Sequence, residues 1–376
     1  MNVQEHGAEL YLQARTWLKG EWERVDAGLA GKVEELYGKS ILVTGAAGFL
    51  GFNFLNYFSS LNDSVPDRLK VRVLAVDNFL RGKPKWLVEL AARDANITVR
   101  QVDIVRKWES SDSMFDYIIH GASVASPTFY RKYPLETLDA NIIGLRNMLD
   151  LGRRIKTKSL LYFSSSEIYG DPPAEAIPTK ESYRGNVACI GPRACYDESK
   201  RVGETLCYLY HQQFGTPAKI VRPFNNYGLG LPLTDGRVVP DLCRDALAGQ
   251  DLVLRSDGKP ARTFCYSTDA LTGYLLVLLS DHNADPFNIG TATPEISMHE
   301  LASAILDIVG SGKRVEFEPS KEAAYLTDNP QRRCPDISKA TTLLGYEPRV
   351  PINTGLTSTL KWYRRFSELS EAVKTV

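Results

Sequence analysis

Two residues of the chain, Tyr196 and Lys200, are spaced so that they could act together as a general base. They lie four positions apart in "GPRACYDESKR" (191–201), after a Gly-Pro turn and on an expected helix. Side chains four apart share one face of a helix, about 5–6 Å apart at Cβ. A nearby ammonium favours a phenolate, because a positive charge lowers the pKa of an acid. The pair predicts a tyrosine base, provided that a substrate hydroxyl lies beside it.

The segment "TGAAGFLG" (44–51) is a glycine-rich turn of the kind that binds phosphates. It comes at the end of the first predicted strand and spaces Gly45, Gly48 and Gly51 three residues apart. Glycines allow a tight turn and a close approach to a pyrophosphate, whose charge meets the free N–H groups of the following helix. A strand, a turn and a helix in this order predict a dinucleotide-binding site.

An acidic residue at the end of the second predicted strand bears on which dinucleotide binds. Asp77 stands 26 residues after Gly51, where a carboxylate can accept hydrogen bonds from an adenosine ribose and repels a 2′-phosphate. This favours NAD over NADP, although Arg81 nearby leaves NADP open. Asp103, after the third strand, is placed to reach adenine. The expected cofactor-binding residues are Gly45, Gly48, Phe49, Leu50, Gly51, Asp77, Asn78, Asp103, Ile104 and Ala122, together with Tyr196 and Lys200.

A serine-rich segment, "YFSSSEIYGDP" (162–172), supplies further polar groups. Ser165, Ser166 and Glu167 follow the fifth predicted strand at its carboxyl end, where ligands bind in open α/β sheets. Taken alone, the segment is typical of a strand end with a solvated glutamate. Beside Tyr196, however, Ser165 becomes a candidate to hydrogen-bond a reacting hydroxyl and Glu167 a second acid or base.

These groups need a scaffold that brings distant segments together, and the apolar runs predict a parallel sheet. Six short runs that are apolar on both faces are typical of strands: 40–45, 71–77, 96–101, 115–120, 159–165 and 218–223. Helical segments near 49–60, 134–154 and 194–214 separate some of them. Strands that alternate with helices form βαβ units. The predicted fold class is α/β, a Rossmann-type doubly wound parallel sheet with a smaller C-terminal substrate-binding lobe.

The organisation along the chain predicts three parts. Apolar residues spaced by threes and fours indicate a helix over 8–37 that packs on its own domain and ends at Gly38. We therefore expect an N-terminal helical extension (1–38) and a NAD-binding domain (39–223), with a return of the chain near 260–292. Turn-rich pieces from 224 onwards, and a helix near 297–309, indicate a mainly nucleotide-sugar-binding lobe (224–376).

Composition excludes several kinds of partner. The 45 basic residues balance the 45 acidic ones, so no overall field favours nucleic acid or a membrane surface. The six cysteines form no C-x-x-C pair, and with five scattered histidines they indicate no metal site. The N-terminus has no apolar signal core, and the most apolar run, at 270–280, is too short to span a bilayer. We expect a cytoplasmic protein.

A Tyr-x-x-x-Lys helix downstream of a glycine-rich NAD loop resembles the extended short-chain dehydrogenase/reductase family, whose members act on nucleotide sugars. The resemblance implies that Tyr196 removes a hydroxyl proton while a hydride leaves the same carbon for nicotinamide. It implies that Lys200 holds the ribose and lowers the pKa of Tyr196. Such an oxidation needs a base within about 3 Å of the hydroxyl.

The pair Ser166-Glu167 is similar to the UDP-glucuronate decarboxylase members of this family. "DGRVVP" (235–240), "ARTFCYSTDAL" (261–271) and "PDISKATTLLGYEP" (335–348) are also similar in order and spacing, over roughly residues 39 to 365. The resemblance implies oxidation at C4 of UDP-glucuronate, loss of CO2 and re-reduction to UDP-xylose. By resemblance, Glu167 and Arg262 handle the carboxylate and the protonation of C5. Thr128 and Phe129 replace the family's usual Pro-His, close to the sugar.

The resemblance also implies a nucleotide site and a subunit arrangement. Asn225 matches a residue that binds diphosphate, while Arg237 and either Arg332 or Arg333 match arginines for phosphate and uridine, which suits the guanidinium fork. The expected substrate-binding residues are Ser166, Asn225, Arg237, Tyr266, Arg332 and Arg333. The family resemblance further implies a homodimer that pairs the helices near 134–154 and 194–214.

Three other functions remain open at this point. A nucleotide-sugar 4,6-dehydratase would use the same NAD site and Tyr-Lys pair but release water instead of CO2. A UDP-glucuronate 4-epimerase would retain the carboxylate. A catalytically idle, NAD-binding regulatory protein is a third possibility, against which Tyr196, Lys200 and Glu167 all argue.

Overall fold

A parallel sheet forms the centre of the computed structural model, which describes residues 3–108, 114–319 and 330–373. Its strands are β1 (Ser40–Thr44), β2 (Arg72–Asp77), β3 (Ile97–Gln101), β4 (Tyr117–His120), β5 (Ser159–Phe163), β6 (Ala218–Pro223) and β11 (Pro286–Ile289). They lie in the order β11-β6-β5-β4-β1-β2-β3, and each neighbouring pair is parallel. The predicted Rossmann-type α/β fold is confirmed.

Helices cover both faces of this sheet and also build the C-terminal lobe. The described helices are α1 (Val3–Leu29), α2 (Phe49–Ser64), α3 (Lys85–Arg93), α4 (Pro127–Lys132), α5 (Pro134–Asp139), α6 (Leu145–Ile155), α7 (Ala194–Phe214), α8 (Val238–Leu247), α9 (Ser267–Leu278), α10 (Met298–Val309), α11 (Ser338–Leu344) and α12 (Ile352–Phe366). A π-helical turn (Ala140–Gly144) joins α5 to α6. In the described ranges, no helix combines the length and apolarity needed to cross a bilayer.

The side chains of each strand alternate between two hydrophobic cores, because successive residues of a strand point to opposite faces. Ile41, Val43 and Phe163 belong to the core beneath α1, α2 and α9. Leu42 and Leu160 belong to the core beneath α6 and α7. Burial on both faces explains why these strands are apolar throughout instead of alternating with polar residues.

The N-terminal helix is shorter than its apolar spacing predicted. Helix α1 ends at Leu29, and Gly31 takes a left-handed conformation (φ 90°) before a separate 3-10 turn over Lys32–Leu36. The predicted single helix to Gly38 is therefore wrong in its last turns. One face of α1 packs on α9 so closely that a Cβ on Gly28 would lie 2.6 Å from the Thr272 Cγ2 atom.

Short strands and the later helices build the C-terminal lobe. The strands are β7 (Asn226–Tyr227), β8 (Leu252–Leu254), β9 (Ala261–Arg262), β10 (Cys265–Tyr266), β12 (Ile296–Ser297), β13 (Val315–Phe317) and β14 (Arg332–Arg333). They form small sheets, in which β9 lies between β12 and β14. The chain returns to the main sheet in between, through α9 and β11. The division into domains stays a prediction.

Candidate active site

A cavity of about 880 Å³ lies at the carboxyl ends of the central strands, between the main sheet and the C-terminal lobe. Gly48 and Asp77 line one end, and Arg262 and Arg333 line the other. Tyr196 lies on the wall of the same cavity. The fold thus brings the glycine turn and the Tyr-Lys helix to a single cleft, as the sequence predicted for an open α/β sheet.

The glycine turn fits a dinucleotide pyrophosphate. Gly45 has φ 70°, and a Cβ there would lie 2.7 Å from the backbone of Ala122. A Cβ on Gly51 would lie 2.2 Å from the Ala46 carbonyl oxygen, so this glycine serves helix packing and does not line the cavity. Gly48 has only its own turn nearby, with Gly45 O at 3.3 Å, and α2 begins immediately after it. A phosphate can therefore approach the backbone at the helix N-terminus.

Asp77 is fixed at the end of β2 by the glycine turn and by its own loop. Its Oδ2 accepts a hydrogen bond from the Ala47 N–H at 3.0 Å, and its Oδ1 accepts one from the Phe79 N–H at 2.8 Å. Burial raises the pKa of this carboxyl. Phe49, Leu50, Asn78, Asp103, Ile104 and Ala122 line the same part of the cavity. The structure places these residues along one cavity, and their contact with adenosine stays a prediction.

Arg81, which left NADP open in the sequence, is engaged across the cavity. Its Nη1 lies 3.1 Å from Oδ2 of Asp235, and its guanidinium stacks on the ring of Phe129 at 4.0 Å. Arg237 pairs with the same buried Asp235. Because Arg81 already has a carboxylate partner, its charge is partly neutralised and favours a 2′-phosphate less than its position in the sequence indicates.

Tyr196 and Lys200 lie on the buried face of α7. The Lys200 Nζ atom is 5.5 Å from the centre of the Tyr196 ring and donates to the Phe163 carbonyl oxygen at 2.8 Å. Burial lowers the pKa of Lys200 to about 7. Burial also raises the pKa of Tyr196 to about 12, against a hydrogen bond with Ser165 that lowers it. Burial therefore outweighs the charge effect that the spacing predicted.

Glu167 stands at the end of β5 among arginines. Ser165 Oγ accepts from the Glu167 N–H at 3.2 Å, which holds the short turn after the strand. The Oε2 atom of Glu167 accepts from Nη2 of Arg333 at 2.6 Å and from Nη2 of Arg193. Burial raises the pKa of Glu167, but Arg193, Arg333 and Arg262 outweigh it and bring the pKa to about 2. The group is an anion at neutral pH.

The predicted nucleotide-binding residues separate into two groups. Ser166, Asn225, Arg237 and Arg333 line the cavity, and Asn225 donates from Nδ2 to the Thr263 carbonyl oxygen at 2.9 Å. Arg332 and Tyr266 do not line the cavity. Arg332 pairs with Glu295 at 2.7 Å and is 45% exposed, and Tyr266 is buried against Tyr227.

Three residues of the site were missed by sequence reasoning. Arg193 and Asp197 flank Tyr196 within the segment that drew attention to it, and their ion pair could have been sought there. Tyr130 stacks on Tyr196 with ring centres 5.2 Å apart and planes 14° apart. No pattern in the sequence links Tyr130 to α7, because the two lie 66 residues apart.

A Rossmann-type sheet with a glycine turn and a buried Tyr-x-x-x-Lys pair defines the extended short-chain dehydrogenase/reductase class. Residues 41–290 match the NAD dependent epimerase/dehydratase family. The chain belongs to this family.

Curated relatives narrow the comparison within the family. The chain is 41% identical to UDP-glucuronic acid decarboxylase 1 of Xenopus tropicalis, over 87% of this chain and 72% of that protein. It is 39% identical to UDP-glucuronic acid decarboxylase 3 of Arabidopsis thaliana, over 84% of this chain and 86% of that protein.

Solved structures share the fold. A UDP-glucose 4-epimerase from Thermotoga maritima superposes with a TM-score of 0.74 at 25% identity, covering 86% of this chain and 98% of its own. UDP-glucuronic acid 4-epimerase from Bacillus cereus, in complex with UDP-glucuronic acid and NAD, gives 0.70 at 25% identity, covering 86% and 99%.

Proposed function

We propose that the protein is an NAD-dependent UDP-glucuronate decarboxylase that forms UDP-xylose through a UDP-4-keto sugar. The observation that carries this proposal is the arrangement of three guanidinium groups, Arg193, Arg262 and Arg333, around Glu167 at the end of the cavity that Tyr196 shares. Arg193 is paired with both Glu167 and Asp197, so Arg262 and Arg333 leave an excess of positive charge that favours a second anion there. The carboxylate of a glucuronic acid supplies it, and the similarity to decarboxylases supports the same substrate.

The glycine turn, Asp77 and Lys200 are the groups that would hold NAD. When bound, NAD supplies the reversible two-electron acceptor that an oxidation at C4 requires. The Oη atom of Tyr196 takes the proton of the C4 hydroxyl, and Ser165 hydrogen-bonds the same oxygen. A protonated Lys200 beside Tyr196 stabilises the phenolate form.

Oxidation at C4 makes the sugar a β-keto acid, which prepares the loss of CO2. The electrons of the breaking C5–C6 bond move into the C4 ketone and give an enolate. Tyr196 and Ser165 are placed to donate hydrogen bonds to that oxygen, and one such donor contributes about 3–4 kcal/mol to stabilising the transition state. Re-reduction at C4 then completes UDP-xylose.

The proton that C5 receives after decarboxylation is assigned to the Glu167 and Arg262 end of the cavity. Glu167 is ionised in this arrangement, so it has no proton to give at neutral pH. Burial lowers the pKa of Arg262 to about 9, and this side chain still carries its proton. Of the two, Arg262 is therefore the proposed donor.

Incubation of the purified protein with UDP-glucuronate and NAD, with measurement of released CO2, tests the function. We expect CO2 and UDP-xylose. A 6-deoxy-4-keto product from a nucleotide glucose, without CO2, would indicate a 4,6-dehydratase instead. Conversion to UDP-galacturonate with the carboxylate retained would indicate the 4-epimerase, and NAD binding without turnover of any of these sugars would favour a regulatory role.

A homodimer is part of the same proposal. Apolar side chains are exposed on α7 and on the adjoining π-helical turn: Ile143, Val202, Tyr208, Leu209 and Phe214. Pairing of the helices 134–155 and 194–214 with those of a second copy would cover this surface. Light scattering should give twice the chain mass, and a monomer at all concentrations tested would refute the pairing.

A cytoplasmic location is also proposed. All six cysteines, at 189, 195, 207, 243, 265 and 334, are free thiols in the structure. Free thiols persist in reducing compartments. Cell fractionation with an antibody to the chain tests the location, and recovery in a secretory or periplasmic fraction would contradict it.

A further inference from the structure

Arg193 links two carboxyl groups that lie on different elements. Its Nη2 donates to Oε2 of Glu167, and its Nε lies 3.6 Å from Oδ2 of Asp197. The side chain of Arg193 is 10% exposed and that of Asp197 is 5% exposed. Arg193 and Glu167 line the cavity, whereas Asp197 lies behind them and does not. The arrangement is a carboxylate at the cavity wall, a guanidinium and a second carboxyl in sequence.

Helix stability does not explain an arginine at this position. Arg193 is the N-cap residue of α7, and its side chain makes no capping hydrogen bond. Arginine is not among the preferred N-cap residues, and a cation at a helix N-terminus is opposed by the helix dipole. The position is therefore unfavourable for the helix itself. A role in holding Glu167 accounts for it.

Two polar atoms of this pair are left without hydrogen bonds. The Nε atom of Arg193 and the Oδ1 atom of Asp197 are buried and have no hydrogen-bond partner within the described parts of the chain. Leaving such groups unpaired disfavours the folded state. Charge attraction between Arg193 and Asp197 offsets part of that cost. The Arg193–Asp197 pair thus orients the guanidinium toward Glu167, while Arg193 Nε and Asp197 Oδ1 remain without hydrogen bonds among the described residues.

The three guanidinium groups around Glu167 differ in whether the proposed function also assigns them to the substrate. The proposed function assigns Arg333 to the nucleotide and Arg262 to the sugar carboxylate and C5. A bound substrate would therefore compete with Glu167 for both of them. Arg193 has no such assignment, and it remains available to Glu167 throughout turnover.

We propose that Arg193, backed by Asp197, is a positioning residue that keeps Glu167 ionised and fixed beside Tyr196 when the substrate draws Arg262 and Arg333 away. The proposal deepens the proposed function and rests on it. Charged and titratable side chains face Glu167 from α4, α7, β9 and β14: Tyr130, Arg193, Tyr196, Asp197, Arg262 and Arg333. Of these, Arg193 alone is required by the proposal to stay on Glu167 with substrate bound.

Infrared titration of the Glu167 carboxyl in the full-length protein tests the link directly. The band is assigned from its absence in Glu167→Gln. In Arg193→Met we expect the titration of Glu167 to move up by more than about one pH unit, since burial then acts with less opposition. Arg193→Lys keeps the charge but loses the fork, and a smaller upward shift is expected. No shift in either folded variant overturns the proposal.

A matched control is available in a second buried arginine–glutamate pair. Arg222 donates to both oxygens of Glu204, at 2.8 and 2.6 Å, and neither residue lines the cavity. Arg222→Met should lower the thermal midpoint without moving the Glu167 band. A shift in this control as large as that in Arg193→Met would mean that loss of any buried ion pair suffices, and the positioning role would be wrong.

The pH profile of CO2 release from UDP-glucuronate supplies the second readout. Because the proposal requires an ionised Glu167, the acid limb of the kcat profile should move to higher pH in Arg193→Met, in parallel with the infrared titration. In Arg193→Lys the limb should return most of the way to its wild-type position. If the wild-type protein releases no CO2 but the infrared shift is present, the proposed function fails and the Arg193–Glu167 link stands. If CO2 is released and the shift is absent, the positioning role fails alone.

Discussion

The two ends of the cavity are built by different means. The cofactor end consists mostly of backbone: a glycine turn against Ala122, and Asp77 held by two N–H groups of its own neighbourhood. The end proposed for the sugar consists of the arginines at the N-terminus of α7, in β9 and in β14, which converge on Glu167 in the turn after β5. Backbone N–H groups can bind a phosphate chain with little dependence on the neighbouring side chains. A convergence of charges depends on each side chain, and in the proposed function it selects the sugar.

The largest effect that would separate the two ends is expected from Tyr196→Phe. Loss of the phenol oxygen removes the general base, and turnover should fall by about 10²–10⁴-fold. NAD affinity should change little, because the ring and its stacking on Tyr130 remain. Steady-state CO2 release and calorimetric NAD binding measure the two quantities. Turnover near the wild-type rate would contradict the assignment of the base.

Gly45→Ala should have the opposite pattern, because it alters NAD binding at the cofactor end and leaves the catalytic side chains unchanged. An added Cβ would lie 2.7 Å from Ala122 in a left-handed backbone, so the turn must shift. We expect about 1–3 kcal/mol of lost unfolding free energy from backbone strain and a loss of measurable NAD binding.

Gly215→Ala is its control. Gly215 is also left-handed (φ 66°), but no atom of the described residues lies within 4 Å of an added Cβ. Denaturant unfolding and NAD calorimetry compare the two variants. Equal NAD affinity in both would show that the close approach at Gly45 does not shape the phosphate site.

A smaller change at the cofactor end is expected from Asp77→Asn. An amide accepts hydrogen bonds from ribose hydroxyls less strongly than a carboxylate, so NAD affinity should fall about tenfold, or about 1.4 kcal/mol. The ratio of NAD to NADP affinity should fall as well, because the repulsion of a 2′-phosphate is lost. Calorimetry with both dinucleotides measures the ratio. A ratio unchanged from wild type would mean that Asp77 does not select NAD.

An effect on folding stability, and not on ligand binding, concerns Lys200, which lies where the two ends meet. Burial lowers its pKa to about 7 in the folded protein, below the value of about 10.4 in an unfolded chain. The unfolded state then binds more protons between these values, so Lys200 makes stability rise with pH from about 7 to about 10, by about 1 kcal/mol per pH unit. Lys200→Met should lack this rise.

Denaturant unfolding of ligand-free protein at pH values across that window measures the difference between wild type and Lys200→Met. The difference matters more than either curve, because buried tyrosines and cysteines titrate in the same range with the opposite sign. A constant difference across the window would show that Lys200 stays charged in the folded protein.

The same contrast explains how much of the site the sequence predicted. The cofactor end follows from short segments, since the glycine turn and Asp77 are each read from their own strand end. Arg332 and Arg333 show the difficulty at the sugar end. Both were candidates, but neighbouring residues of a strand point to opposite faces, and only the fold places Arg333 inward.

The fold itself was predicted more completely than the site. The helix over 194–214 and the strand over 218–223 have the bounds that their patterns indicated. The end of α1 was predicted too late, because apolar spacing continues through Val33 and Leu36 while Gly31 breaks the helix. Tyr130 and the contact of Arg193 with Glu167 could not be predicted, because they arise from contacts between different elements.

Hydrogen bonds to polar side chains of α2 connect the first helix of the chain indirectly to the NAD site. Tyr11 donates to Asn56 Oδ1 at 2.8 Å, Arg15 donates to Ser59 Oγ at 2.7 Å, and Tyr57 donates to Asp26 Oδ1 at 2.6 Å. Helix α2 begins at the glycine turn. The hydrogen bonds from α1 therefore stabilise the position of the helix whose N-terminus faces the phosphate site. Deletion of the first 30 residues would remove these hydrogen bonds and expose the polar side chains of α2 to water. The glycine turn would then be held less rigidly, although every residue that faces the cofactor would still be present.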